Sequence, residues 1–234
     1  MNFVVRVKRA AGPGAPVFWQ EFACECDGSG SVAAALRELN ARTPLIDLNG
    51  REAPPIRWEC GCVCGKCGAC AMRVNGLPTL ACKTFLGSLG RTVTLEPLSK
   101  FPLVADLVVD RGVIFEQLKK IHLWLSGKAV MREKTHELRF QSARCLMCGC
   151  CLEICPNFRA DGGFAGAPAA VGAYRIFNQE SDAAHRAEAA KQYVRRYYSG
   201  CGTSLACRDI CPAGIPVDEL ISRSNAAAVW RRRS

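Results

Sequence analysis

The sequence predicts an α+β chain in two parts: a small strand-rich domain around one helix over residues 1–102, and a helical domain over 103–234. Three observations predict it. Apolar residues alternate with period two in the first part, as on half-buried strands, and a strong hairpin signal lies among them. After Pro102 the apolar spacing becomes helical. Nearly all of the 16 cysteines fall into three groups, one in the first part and two in the second.

In chain order, Phe3, Val5 and Val7 of FVVRVK mark a strand at 3–8, AAGPGAP turns the chain, and VFWQEFA at 17–23 returns it. Ser31 is placed to cap a helix through VAAALRELN, with Val32, Leu36 and Leu39 on one face. LIDLNG is a short strand and turn, residues 56–70 are irregular, and AMRV and LPTLA flank the hairpin pair Asn75-Gly76. TVTLEP supplies the closing strand. In the second part, VIFEQLKKIHLWL at 113–125 puts Ile114, Leu118, Ile121 and Leu125 on one face. Further helices are expected at 168–179, 183–198 and 216–229, with Pro216 in a first turn.

Composition narrows the chemistry. Apolar residues make up 49%, enough for packed cores. The opening MNFVVRVKRA does not read as a signal peptide, so the cysteines are expected in a reducing compartment, where grouped thiolates bind metal rather than pair as disulfides. No stretch reaches the about 18 apolar residues of a membrane span; FPLVADLVV is broken by Asp106. The net charge of +10 suggests an anionic neighbour such as a membrane surface. The basic residues are spread along the chain except for Arg231, Arg232 and Arg233, so nucleic acid is not expected.

The first group reads CGCVCGKCGACAMRVNGLPTLAC from Cys60 to Cys82. Cys62, Cys67, Cys70 and Cys82 give C-x4-C-x2-C and then an eleven-residue gap, the plant-type [2Fe–2S] spacing. Gly61, Gly65 and Gly68 allow the backbone to turn close to the sulfurs and aim N–H groups at them. Cys60 and Cys64 leave the register of the first ligand open among three positions. A four-thiolate zinc site is the competing reading, though such sites more often use two close pairs. Cys24 and Cys26 are read as small buried residues.

The second group, CLMCGCCLEICP at 145–156, is a bacterial ferredoxin run, C-x2-C-x2-C-x3-C-P. The third, CGTSLACRDICP at 201–212, keeps Cys201, Cys207 and Cys211 in the same frame but has Ser204 in place of the second cysteine. In two-cluster proteins the fourth cysteine of each run serves the other cluster. That rule assigns Cys145, Cys148, Cys151 and Cys211 to a [4Fe–4S] cluster, and Cys155, Cys201 and Cys207 to a [3Fe–4S] cluster. Ser204 is not expected to ligate a fourth iron, and Cys150 is expected to pack inward. Pro156 and Pro212 close the two loops.

No catalytic constellation accompanies these groups. His122, His136 and His185 follow no metal or triad spacing, and no G-x-G-x-x-G is present. Three one-electron centres without a reaction site describe an electron relay.

RWEC with CGACAMRVNG and TLACKTF at 57–85, CLMCGCCLEICPNF at 145–158, GAPAA at 166–170 and CGTSLACRDICPAGIP at 201–216 together resemble the iron–sulfur subunit of succinate dehydrogenase and quinol:fumarate reductase, in a bacterial version. The resemblance implies a β-grasp plant-type ferredoxin domain and then an all-helical bacterial-type ferredoxin domain. It implies the three clusters on the ligand sets given above, with Cys62 as first ligand. It also implies an FAD-bearing flavoprotein against the N-terminal domain. A quinone-reactive membrane anchor, a dihaem cytochrome b, is implied against the C-terminal one, holding the chain on the cytoplasmic face of the membrane. The chain departs from the family in a two-residue insertion at Cys60–Cys62, in having no tryptophan in NFRADG, and in Gly202 where histidine is frequent. Asn157 and Phe158 are then packing residues, and the quinone is expected wholly in the anchor. A free-standing multi-cluster carrier is the competing function.

Overall fold

The computed structural model describes residues 2–131 and 133–230; the expected basic run at 231–233 lies outside the described residues. The chain forms two compact units that divide after Asp110.

In the first unit the strands are β1 (Asn2–Arg9), β2 (Phe18–Glu25), β3 (Leu45–Ile46), β4 (Glu52–Ala53), β5 (Ala71–Val74), β6 (Leu77–Leu80), β7 (Thr92–Glu96), β8 (Leu103–Ala105) and β9 (Val108–Val109). The helix is α1 (Val32–Asn40). The main sheet has the order β2-β1-β7-β5-β6, with β1 and β7 parallel and the other pairs antiparallel. The period-two pattern decides which face of β1 is buried: Phe3, Val5 and Val7 point inward. Ser31 caps α1 as expected, its Oγ accepting from the Ala34 N–H at 3.2 Å, and Val32, Leu36 and Leu39 are buried. Asn75 (φ 48°) and Gly76 (φ 82°) both take the left-handed backbone that a two-residue hairpin requires.

The two units divide at 110/111, where the sequence predicts 102/103. Residues 103–109 form a hairpin rather than the start of the helical part. Asp106, at φ 44°, holds it in place. Its Oδ1 accepts from Arg9 Nε and the Ala10 N–H, both at 3.0 Å, and its Oδ2 accepts from the Arg57 N–H at 2.9 Å. Arg9 is itself buried and also donates to Gln20 Oε1 and to the carbonyls of Pro54 and Pro55. Removing one partner of a buried ion pair strands the other charge. Asp106→Ala is therefore expected to cost the protein about 3–5 kcal/mol. Asp106→Asn, which keeps an acceptor and tolerates the left-handed backbone, is expected to cost less. Chemical denaturation followed by circular dichroism measures both.

The second unit contains α2 (Gly112–Lys120), α3 (His136–Ala143), α4 (Cys150–Ile154), α5 (Ala167–Gln179), α6 (Ala183–Arg196), α7 (Ala206–Asp209) and α8 (Val217–Asn225), and no strand among its described residues. The helix expected to reach residue 125 stops at Lys120, because His122 turns left-handed at φ 60°, which leaves Leu125 off the helix. α3 was not anticipated. Pro216 stands at the cap of α8 rather than inside its first turn, and the helix widens into a π turn at 226–230. Ala169, Ala170 and Ala173 on α5 let α6 and α8 approach, and Leu220, Tyr193 and Tyr197 fill the core around them. Gly166, at φ 67°, starts α5 where a β-carbon would collide with Leu152. Glu180 ties the 121–127 segment down. It accepts from the Ser126 N–H and Oγ and from the Asp182 N–H, and these bonds hold its carboxyl at about 2. His185 Nε2–H donates to the Trp124 carbonyl at 2.8 Å, and its ring lies 5.4 Å from the Trp124 ring, a packing role.

Candidate iron–sulfur sites

The first group occupies the loop between β4 and β5 and the turn after β6. Cys62 and Cys67 are exposed on the loop, while Cys70 and Cys82 are buried at the sheet end with their sulfurs 3.4 Å apart. The backbone winds tightly here, with Val63, Gly65 and Gly68 all left-handed. This winding turns N–H groups onto the Cys62 sulfur, which accepts from Cys64 at 3.4 Å and from Lys66 at 3.1 Å. Those bonds bring the Cys62 thiol down to about 6. The Cys67 sulfur accepts from the Cys62 N–H at 3.5 Å, and a β-carbon on Gly61 would stand 3.3 Å from it. Gly65 is closed off in the same way by the Lys83 side chain. Cys24 is buried and bonded to Glu38 Oε2, as expected of a packing residue; Cys26 is only half-buried.

The second and third groups are two copies of one winding. Cys145 and Cys201 open the loops, Met147 (φ 50°) corresponds to Thr203 (φ 56°), and Gly149 (φ 89°) corresponds to Leu205 (φ 56°). A short helix follows each, α4 and α7. The hydrogen bonds repeat in step: Leu152 N–H to Gly149 O and Arg208 N–H to Leu205 O, then Cys155 N–H to Leu152 O and Cys211 N–H to Arg208 O. In this frame Ser204 occupies the position of Cys148.

Two cavities sort the cysteines. One is lined by Cys145, Cys148, Cys151 and Cys211, with Pro168 and Ile215. The other is lined by Cys155, Cys201 and Cys207, with Ser204, Tyr197 and Phe164. The last cysteine of each run thus joins the first ones of the other. Cys150 is fully buried, as expected. Burial pushes the thiols of Cys145 and Cys207 up to about 11, and that of Cys151 well above its ordinary range. Phe158 is buried and packs, as expected, whereas Asn157 is exposed and donates to the Gly200 carbonyl at 2.7 Å. A β-carbon on Gly202 would come within 3.1 Å of Asn157 Nδ2, so a larger residue there would crowd this bond. Two features of these sites escaped sequence reading: the hydroxyl of Tyr197 on the Cys201 sulfur at 3.5 Å, and the thiols of Cys64 and Cys150 beside Cys62 and Cys148.

The donor sets fit iron–sulfur clusters. They consist of thiols alone, which suit iron and sulfide. Among the described residues no three His, Cys, Asp or Glu side chains converge on a single-ion site; in the second unit the thiols surround volumes instead. Residues 4–116 match the model of a 2Fe-2S iron-sulfur cluster binding domain, and residues 141–215 that of a 4Fe-4S dicluster domain. This pair of domains, on this fold, defines an iron–sulfur electron-transfer protein.

The chain is 33% identical over 205 residues to the succinate dehydrogenase iron-sulfur subunit of Bacillus subtilis, covering 83% of this chain and 80% of that protein. It is 30% identical over 211 residues to the fumarate reductase iron-sulfur subunit of Wolinella succinogenes, covering 80% and 84%. It shares its fold with a chain of the Mycobacterium smegmatis Sdh1 complex in the apo form, at a TM-score of 0.78 and 21% identity over 100% of this chain and 98% of that one. The chain belongs to the family of succinate dehydrogenase and fumarate reductase iron–sulfur subunits.

Proposed function

We propose that the chain relays electrons between an FAD-bearing succinate/fumarate flavoprotein and a quinone-reactive membrane anchor that carries haem b. Cys62, Cys67, Cys70 and Cys82 hold a [2Fe–2S] cluster. Cys145, Cys148, Cys151 and Cys211 hold [4Fe–4S], and Cys155, Cys201 and Cys207 hold [3Fe–4S]. Bound clusters of these types supply one-electron exchange. The chain's own residues hold them, shield them from water and direct N–H groups at their sulfurs.

The observation that carries this reading is the doubled loop, in which Ser204 stands where Cys148 stands and leaves three thiols around the second cavity. The flavoprotein docks on the first unit and the anchor on the second, at the cytoplasmic face of the membrane. No helix among the described residues is long and apolar enough to cross a membrane, which fits a subunit held there by another chain. The second unit also exposes Phe115, Met131, Phe140 and Trp230, apolar surface that a free-standing carrier would not need. Iron and acid-labile sulfide analysis with EPR of the purified complex tests the assignment. Signals from one [2Fe–2S], one reduced [4Fe–4S] and one oxidised [3Fe–4S] centre are expected. A second [4Fe–4S] centre in place of the [3Fe–4S] one would overturn it.

A further inference from the structure

The first and third cysteine groups each carry one additional S–H or O–H group beside a sulfur assigned above as a ligand. In the first, Val63 turns left-handed at φ 52°, so that both the N–H of Cys64, at 3.4 Å, and its thiol meet the Cys62 sulfur. The third loop carries Ala206 after its left-handed Leu205. There the Tyr197 hydroxyl donates to the Cys201 sulfur at 3.5 Å. Tyr197 is fully buried, with Phe164 stacked on it at 5.7 Å and Tyr193 beside it at 5.0 Å, so its hydroxyl is aimed by packing.

We propose that Cys64 and Tyr197 are potential-setting residues rather than ligands, each donating a hydrogen bond to one ligand sulfur. Reduction adds negative charge to a cluster and its thiolates, and a donor to a sulfur is strengthened by that charge. Each bond therefore favours the reduced form, and its loss moves the midpoint potential of that cluster alone to more negative values. The inference rests on the ligand sets proposed above.

The test is an EPR-monitored redox titration of the complete, cluster-loaded complex. Tyr197→Phe removes only the hydroxyl. It is expected to weaken reduction of the third cluster about tenfold, ~59 mV for one electron, with the other two midpoints unmoved. Cys64→Ala is expected to do the same to the [2Fe–2S] centre, and Cys64→Ser, which restores a donor, to return it towards the original value. Unchanged midpoints in both Tyr197→Phe and Cys64→Ala would overturn the proposal. So would equal shifts in Cys64→Ala and Cys64→Ser, or loss of the [2Fe–2S] centre in Cys64→Ala, which would make Cys64 a ligand. Failure of the underlying ligand reading shows differently, as missing or altered signals in the unsubstituted complex.

Discussion

Cys62→Ala is expected to abolish the [2Fe–2S] EPR signal and its share of bound iron, while Cys60→Ala leaves both in place. Three cysteines compete for the first ligand position, and the spacing to Cys67 alone does not decide between a loop with and without an insertion. The hydrogen bonds favour Cys62. The Cys62 sulfur collects the N–H groups of Cys64 and Lys66, at 3.4 and 3.1 Å, which is the environment of a thiolate. Those donors pull its thiol down to about 6, whereas the thiol of Cys64 is raised by its bond to Cys62. Cys62 also offers its own N–H to the Cys67 sulfur at 3.5 Å, which couples these two cysteines through the loop. Cys60 is exposed and shares in none of these bonds. Metal analysis and EPR on the two variants check the prediction: a [2Fe–2S] signal that survives in Cys62→Ala and vanishes in Cys60→Ala would reverse the register.

Much of this architecture was legible because its signals are local. The alternation in β1, the Ser31 cap, the Asn75-Gly76 turn and the cysteine runs each lie within a few residues of the feature they specify. The failures are tertiary. FPLVADLVV reads as an apolar run interrupted at Asp106, and nothing local announces the hairpin that forms there, because Asp106 finds Arg9, Ala10 and Arg57 far away in sequence. The apolar spacing of VIFEQLKKIHLWL continues past the true helix end, and no Gly or Pro announces the left-handed turn at His122. α3 shows no apolar stripe, since the residues it buries are Arg139 and Ser142. At the sites, the gathering of each run's last cysteine with the first ones of the other run was legible. Tyr197 was not, because its reach to Cys201 depends on how α6 ends and on the rings packed around it.

Ser204→Cys is expected to recruit a fourth iron to the third cluster, converting [3Fe–4S] to [4Fe–4S]. The argument is geometric. A cysteine ligates where the backbone presents its β-carbon, and the two loops present theirs alike: a left-handed residue before the position (Met147 or Thr203), another after it (Gly149 or Leu205), and a short helix beginning next. The third loop holds this winding even at Leu205, where a side chain makes the left-handed backbone unfavourable by roughly 1–2 kcal/mol. The conformation is therefore imposed by the surrounding structure rather than chosen by the local residues, and a thiol introduced at 204 inherits it. Ser204 already lines the cavity of Cys155, Cys201 and Cys207, so a thiol there needs no new space beyond that of one larger atom. The oxidised-state EPR signal of the third centre should disappear and a reduced-state signal should replace it, with the iron content rising accordingly. Ser204→Ala should leave the oxidised signal intact. Loss of that signal in the alanine variant would instead show that the serine oxygen takes part in holding the cluster, because alanine removes that oxygen and changes nothing else at the position.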